Sequence, residues 1–377
     1  MKKSLVALAA LSAISAFADV DVSGGIKLYG VLDQAYTHQS VARATLGTTM
    51  TTSDSATGFF SAKDKSRFGV LGERDLGEGL KAFIQFEAEL APQDASNSIT
   101  TNRGTFVGMK SDSFGSVKAG YQETIAYEMD KTDANGRIEY KPQVWRLANA
   151  TSPDRMNNAI RYTTPTYAGL SADIQRGYPK VTPYIPTGVF TSYGVNFAKD
   201  AFLIRFASDS YTGTALAPTL YGDNLAGVLA SSATTFKLST ADWDNPLVRN
   251  TLAATYDFGS FKLNYLMANN AQSGAKGGSI KTNTFGVKVP YEKFVFALSV
   301  GSGNFATNDS NGTNVGSGSI SDTTVGVYYS FDKSTTAYFL GSTGKTSVST
   351  AGATNTAFSA GAAGSAVTSA FGLQYKF

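Results

Sequence analysis

The chain has 377 residues, a formal net charge of +3 and no cysteine, which excludes a disulfide framework and thiolate chemistry. Its single histidine, His38, removes most histidine-rich zinc and catalytic arrangements, and the near-neutral balance gives no support to nucleic-acid binding through overall charge. It is rich in Gly (38), Phe (24) and Tyr (19) but has only 2 Trp, and beyond its first residues no stretch approaches the ~20 apolar residues of a membrane helix. These features leave a large all-β protein, either soluble or a barrel whose apolar residues are hidden by alternation.

The N-terminus reads as an export signal. Lys2 and Lys3 precede an apolar run over residues 5–17, and Ala16-Phe17-Ala18 places small residues where a signal peptidase cuts. The run is too short to span a membrane. Residues 1–18 are therefore predicted to be a cleaved signal peptide, and residues 19–377 a single barrel domain. Loss of Lys2 and Lys3 takes the formal charge from +3 to +1.

Alternation then recurs along the chain. Ile26, Leu28, Gly30 and Leu32 oppose Lys27, Tyr29, Val31 and Asp33. Phe68 and Val70 oppose Arg67 and Glu73, and Leu80, Ala82, Ile84, Phe86 and Ala88 oppose Lys81, Gln85 and Glu87. Later come Phe202, Ile204 and Phe206 against Arg205, and Phe261, Leu263, Tyr265 and Met267 against Lys262 and Asn264. Phe285, Val287 and Val289 oppose Thr284 and Lys288, Phe294 to Val300 oppose Ser299, and Val325 to Phe331 oppose Thr324 and Ser330. In the terminal strand Phe371, Leu373, Tyr375 and Phe377 oppose Gly372, Gln374 and Lys376.

Connections alternate in length. Short ones fall at 74–79, 111–115, 164–169, 199–200, 257–260, 290–293 and 332–334. Long ones lie near 38–62, 91–102, 122–158, 179–190, 208–248, 270–280, 302–322 and 344–366. Seven short turns and eight long loops predict sixteen antiparallel strands, with both termini on the short-turn side. Short periplasmic turns, longer extracellular loops and aromatics beside the turns fit a transmembrane β-barrel. Closure also satisfies every backbone polar group in lipid, as an open sheet cannot. The low-complexity runs 301–321 and 342–369 read as solvated outer loops.

Several short motifs fall in order along this pattern. They are Leu28-Tyr-Gly-Val-Leu-Asp33, Ser66-Arg-Phe-Gly69 with Gly72-Glu73, and Asp75-Leu-Gly-Glu-Gly-Leu-Lys81. Further along come Asn102-Arg103 with Phe106-Val-Gly108, Phe114-Gly-Ser-Val117, Asn158-Ala-Ile-Arg-Tyr162, Tyr167-Ala-Gly-Leu170 and Phe377. In these segments the chain resembles the Gram-negative general porin family, particularly its β-proteobacterial branch. The resemblance implies a homotrimer of water-filled barrels in the outer membrane, in contact with its lipid and lipopolysaccharide and passing small hydrophilic solutes and ions. It also implies a third loop folded into the lumen. Phe371, Leu373, Tyr375 and Phe377 would then be a signal read by the barrel-assembly machinery.

Transport through such a pore needs a constriction with a transverse field rather than a reaction. Arg67 opposes Phe68 by alternation, Arg103 faces inward if Phe106 faces out, and Arg161 opens the strand before Thr164-Pro165. The resemblance places an arginine cluster on the barrel wall at these three positions. The acidic side is sought in the connection 122–158, whose length suits an inserted segment, with Glu128, Asp130 and Asp133 as candidates. Asp33, Glu87 and Tyr121 are further lumen candidates, and Asn196 and Asn250 are expected to line the lumen by residue type. The Pro-Glu-Phe-Gly-Gly motif of enterobacterial relatives is absent. Tyr121 and Val31 stand where relatives carry basic residues, so weak selectivity is expected. Gly30, Ala82, Ala88, Gly104 and Gly108 are candidate small residues of a trimer contact. His38, at the junction of the first strand and first loop, is a surface residue rather than a catalyst. Asp242, Asp244, Asp309 and Asp322 read as solvated carboxylates. No metal or cofactor is implied. The other readings are a substrate-selective porin, an outer-membrane enzyme built around His38, and an adhesin.

Overall fold

A computed structural model describes residues 20–377 apart from 24, 45–50, 93–98, 101–102, 140–143, 145–152, 179, 183–184, 187, 214–245, 273–277, 309–313 and 352–362. The predicted signal peptide, and Asp242, Asp244 and Asp309, lie outside the described residues. Sixteen strands form the barrel wall. They are β1 (Ile26–Ala44), β2 in two parts (Thr51–Phe60 and Arg67–Gly77), β3 (Leu80–Leu90), β4 (Ile99–Thr100 and Thr105–Ser111) and β5 (Gly115–Glu123). Next are β6 (Arg155–Thr163), β7 (Leu170–Gly177), β8 (Gly188–Lys199), β9 (Phe202–Gly213), β10 (Leu247–Asp257) and β11 (Lys262–Gln272). The last are β12 (Ser279–Tyr291), β13 (Phe294–Asn308), β14 (Asn314–Ser330), β15 (Thr335–Ala351) and β16 (Ala363–Lys376). A short strand, Val20–Ser23, pairs with the start of β1.

Each strand pairs antiparallel with its neighbours in sequence, and β1 pairs with β16 from Val31↔Lys376 to Ala44↔Ala363. Two backbone bonds finish the seam. Gly30 N–H donates to Phe377 O at 2.8 Å, and Phe377 N–H donates to Gly30 O at 3.1 Å. The Phe377 ring occupies the space in front of Gly30, where a Cβ would come within 2.2 Å of it. Gly30 is thus a socket for that ring rather than simply a small outward residue.

The short turns follow from local chemistry. Asp332 Oδ1 accepts from Ser334 N–H and Thr335 N–H, each at 2.7 Å, and Asp257 Oδ1 accepts from Gly259 N–H at 2.9 Å. Both are side-chain mimics of a turn. Between β2 and β3, Gly77, Glu78 and Gly79 all have positive φ, which two glycines make accessible.

The predicted alternation separates the two faces. Outward residues include Phe285 and Phe371, 63% and 66% exposed, beside Leu32, Ile204, Phe296 and Leu373. So much apolar surface suits lipid and not water. Near the turns Phe202, Tyr256 and Phe258 meet edge-on and Phe258 stacks on Phe261, with successive centroids 4.4, 4.4 and 4.5 Å apart, an interfacial aromatic girdle.

Three expected loops are mostly strand. β1 and β2 run through much of 38–62, β13 and β14 through 301–321, and β15 and β16 through 342–369. Above the lipid both faces of a strand meet water, so Ser, Thr and Gly continue the ladder without an apolar face, as in Ala306↔Ser317. For the same reason His38 lies inside β1, on the outer face, between Thr57 and Ser369. Its Nδ1 is 2.9 Å from Thr57 Oγ1.

Candidate functional site

Two segments turn inward. The larger follows β5. Thr124 caps a short helix, α1 (Ile125–Met129), its hydroxyl accepting from Tyr127 N–H at 3.3 Å. Ile125, Ala126, Tyr127 and Met129 pack on the inward residues Ala207, Ala253 and Leu266. The next residues are tied to successive strands. Asp130 pairs with Arg249 of β10 at 3.1 Å, both fully buried, and Asn264 of β11 donates to Thr132 O at 2.7 Å. Ser299 of β13 donates to Asp133 Oδ1 at 2.7 Å, and Tyr328 of β14 donates to Asn135 Oδ1 at 3.1 Å. Val144 N–H donates to Asp322 of β14 at 2.7 Å, so Asp322 is buried against this segment rather than solvated in a loop. Ala134 passes so close to β12 that a Cβ on Gly286 would lie 2.6 Å from it. The segment thus crosses the inner wall from β8 to β14.

The smaller segment interrupts β2 at residues 61–66. Asp33, fully buried, receives Ala62 N–H at 2.8 Å, Lys63 N–H at 3.3 Å and the Tyr338 hydroxyl at 2.8 Å. Asp33 is therefore a clamp for this turn.

The three arginines all project inward and are buried. Arg67 holds Asp64 through Nη1 and Nη2, at 2.7 and 3.0 Å, and lies 3.3 Å from Glu87. Arg103 donates to Glu87, which also accepts the Tyr29 hydroxyl at 2.8 Å. Arg161 is shared between Glu128, at 2.7 and 3.2 Å, and Asp173, at 2.9 Å. The candidate acidic residues do not face these arginines across the lumen. Glu128 binds Arg161 itself, Asp130 binds Arg249, and Asp133 rests on Ser299. Burial pushes Glu128 up, but Arg161, with Lys118 and Lys131, overrides it and holds the carboxyl at about 2. Burial raises Asp133 to about 6 against the lowering hydrogen bonds from Ser299 and Asn135.

Phe106 points inward, contrary to the parity used to orient Arg103. It meets the inward Phe83 edge-on at 6.3 Å, and Lys118 Nζ lies 4.7 Å from its centroid. Gly104 and Gly108 share that inner face, where a Cβ would meet Gln85 and Phe83 respectively. Arg103 still reaches Glu87 because residue 104 lies outside the ladder. Tyr121 sits at a register shift between Gly120 and Gln122. Asn196 faces inward, donating to Asp173 at 2.7 Å, whereas Asn250 falls between inward Arg249 and Thr251 and so faces out. Sequence reasoning did not single out Asp64, Asp173, Arg249 or Lys63. Asp173 and Arg249 were findable, since each neighbours an outward apolar residue, Ile174 and Val248.

The model of the Gram-negative porin family matches residues 4–339. The chain belongs to that family. Among curated porin relatives, it is 29% identical over 301 residues to outer membrane porin protein 32 of Delftia acidovorans, covering 76% of this chain and 74% of that one. It is 31% identical over 209 residues to major outer membrane protein P.IB of Neisseria lactamica, covering 55% and 58%. The match thus spans a little over half the length of that relative. Among solved structures, the anion-selective porin from Comamonas acidovorans superposes with a TM-score of 0.66 at 20% identity, covering 93% of this chain and 99% of that one. Salmonella typhi OmpF, in complex with daunomycin, gives 0.61 at 16% identity, covering 94% and 98%. This porin is therefore an outer-membrane protein with the closed sixteen-strand barrel of those structures.

Proposed function

We propose that this porin is a water-filled channel for passive diffusion of small hydrophilic solutes and ions, with a weak preference for anions. The observation carrying the reading is the segment pinned across the inner wall, whose root, among the described residues, holds more cations than carboxylates. Lys118, Lys131, Arg137, Arg155, Arg161 and Arg205 lie among Glu123, Glu128, Asp154 and Asp173. Beside β2–β4 the numbers balance, with Lys65, Arg67 and Arg103 against Asp64, Glu87 and Glu89. Such fixed charges in a narrow aqueous path bias ion passage. The Comamonas protein that shares this fold is an anion-selective porin, which points the same way.

The family supports a homotrimer seated in outer-membrane lipid and lipopolysaccharide. It also supports insertion by the barrel-assembly machinery, with Phe371, Leu373, Tyr375 and Phe377 presented as the signal. No reaction is needed, and His38 on the outer wall has only hydroxyl neighbours in its register. Planar-bilayer recording tests the reading. Conductance should appear in groups of three equal steps, with a reversal potential of anionic sign in a salt gradient. A folded trimer that passes no current would sink it.

A further inference from the structure

We propose that Lys63, Lys288 and Lys376 form a binding station in the periplasmic half of the lumen for small solutes bearing a doubly charged oxyanion, either a dicarboxylate or a phosphate. The inference rests on the pore reading and adds to it a site away from the arginines.

The station starts from the interruption of β2. Besides the bonds to the Asp33 carboxylate, Ser61 and Ser66 hydroxyls donate to Asp33 O at 2.9 and 3.1 Å, and Asp33 N–H donates to Ser66 Oγ at 2.8 Å. Ala62 is fully buried in a cluster with Tyr328, Tyr338 and Ala297. A turn held at so many points is a rigid arm, not a solvated excursion of the strand.

That arm carries Lys63 over two rings, 5.1 Å from the Tyr328 centroid and 5.9 Å from that of Tyr338, to Gln374 Oε1 at 2.9 Å. An ammonium has three donors, and Gln374 takes one. Lys376 lies two residues further along the same inward face of β16. Lys288, on the inward face of β12, is the register partner of Ala297, a member of the cluster beneath Lys63. Lys376 and Lys288 both lie within electrostatic reach of Lys63, and Lys376 of Lys288, while Asp33 and Asp64 act on Lys63 and Asp133 on Lys288 at similar range.

The surrounding carboxylates are engaged elsewhere. Asp33 clamps the turn, Asp64 holds Arg67 at 2.7 Å, Asp133 accepts from Ser299, and Asp257 pairs with Lys262 at 2.7 Å. Among the described residues none of the three lysines has a carboxylate at ion-pair distance. Lysines that served only to wet the lumen would gain from such neighbours. Three convergent ammonium groups, one on a fixed arm, instead match an oxyanion that brings two negative charges and several acceptors. All three sit near the short-turn end: Lys376 closes β16, and Lys288 lies just before the turn after Tyr291. A solute leaving the constriction would meet them next.

The test is single-channel recording of the full-length trimer with chloride as carrier. Inorganic phosphate or succinate is added on the short-turn side at neutral pH. The wild-type chloride current should fall saturably. Lys63→Gln and Lys288→Gln should each raise the half-blocking concentration about tenfold, the scale of a lost charge-assisted hydrogen bond. Lys288→Gln lies in a regular strand and answers if the Lys63 variant disturbs its turn. Block by both probes, or by either alone, supports the station and identifies the oxyanion it takes. An absence of saturable block overturns it. So does block that persists in both lysine variants and vanishes in Arg161→Gln, because the anion would then sit at the arginines. Loss of all conductance in wild type would overturn the pore reading itself.

Discussion

Two stretches of the inner wall carry buried arginine but differ in what surrounds it. Along β2–β4, Arg67 and Arg103 share Asp64, Glu87 and Glu89 with Lys65, and the charges cancel. At the root of the inserted segment, Lys131, Arg137 and Arg155 share Glu123, and Arg161 and Arg205 both reach Glu128. The first stretch braces the wall. The second leaves a field in the lumen. Counting arginines therefore says little about selectivity until each has been matched with its carboxylate.

The largest expected effect breaks the comparison by releasing the segment. Arg249→Ala leaves Asp130 buried without its guanidinium, at a cost of about 3–5 kcal/mol. The thermal unfolding midpoint of the barrel should shift down, and current noise should rise as the segment leaves the wall. Asp33→Ala comes next. It removes the acceptor for Ala62 N–H and the Tyr338 hydroxyl, costing about 1–3 kcal/mol for each group left unsatisfied. The same melting measurement checks it, and an unchanged midpoint would remove Asp33 from its clamping role.

Charge substitutions sharpen the comparison. Glu128→Gln enlarges the existing surplus, so the reversal potential should move further toward anions. Glu87→Gln uncovers Arg67 and Arg103, and should create a preference in the stretch that now has none. Equal shifts are compatible with the charge inventory, whereas no shift from Glu128→Gln would show that the segment's root does not set the field.

Acidification gives the smallest effect, and the two loop carboxylates separate it. Glu128 is held at about 2, below its ordinary value of about 4.3. Its stabilisation is present above that ordinary value and is lost only as pH falls toward 2, so it is silent between neutral pH and about pH 5. Asp133 is raised to about 6. Its contribution to stability is fully favourable below its ordinary value of about 3.9 and is lost as pH rises through 6. Lowering pH from 7 to 5 should therefore stabilise the barrel slightly and increase anion preference as Asp133 is neutralised. Asp133→Asn should flatten that dependence, and a wild-type reversal potential constant across the interval would contradict it.

The strands were legible because lipid on one side and water on the other write a two-residue period into Phe294–Val300 or Phe371–Phe377. Where water bathes both sides the period vanishes, so 301–321 read as loop although it is mostly strand. Facing was legible where apolar and polar residues alternate strictly, as at Arg67 and Phe68. It failed at Asn250, read from residue type alone, and at Phe106, an aromatic on the inner face whose outward neighbours are Val107 and Met109. Ion pairing was the least legible. Alternation says that Arg161 and Asp173 look inward, but not that they share a height, nor that Glu128 folds back to join them.

The seam between Gly30 and Phe377 has a consequence for how the barrel comes to exist. Asp33 and Gln374, in contact across that seam, stand 341 positions apart. Closing so long a loop delays contacts that cannot form piecemeal. Until β16 is in place, β1 and the growing sheet each present a raw edge that would pair with any other strand. The ring of Phe377 fills the space in front of Gly30, so the seam acts as a latch against misregistered closure: a one-residue slip would turn the ring to the inner face, beside Tyr29 or Val31. Enlarging Gly30 should therefore cost yield of finished barrels more than it alters the pores that do form.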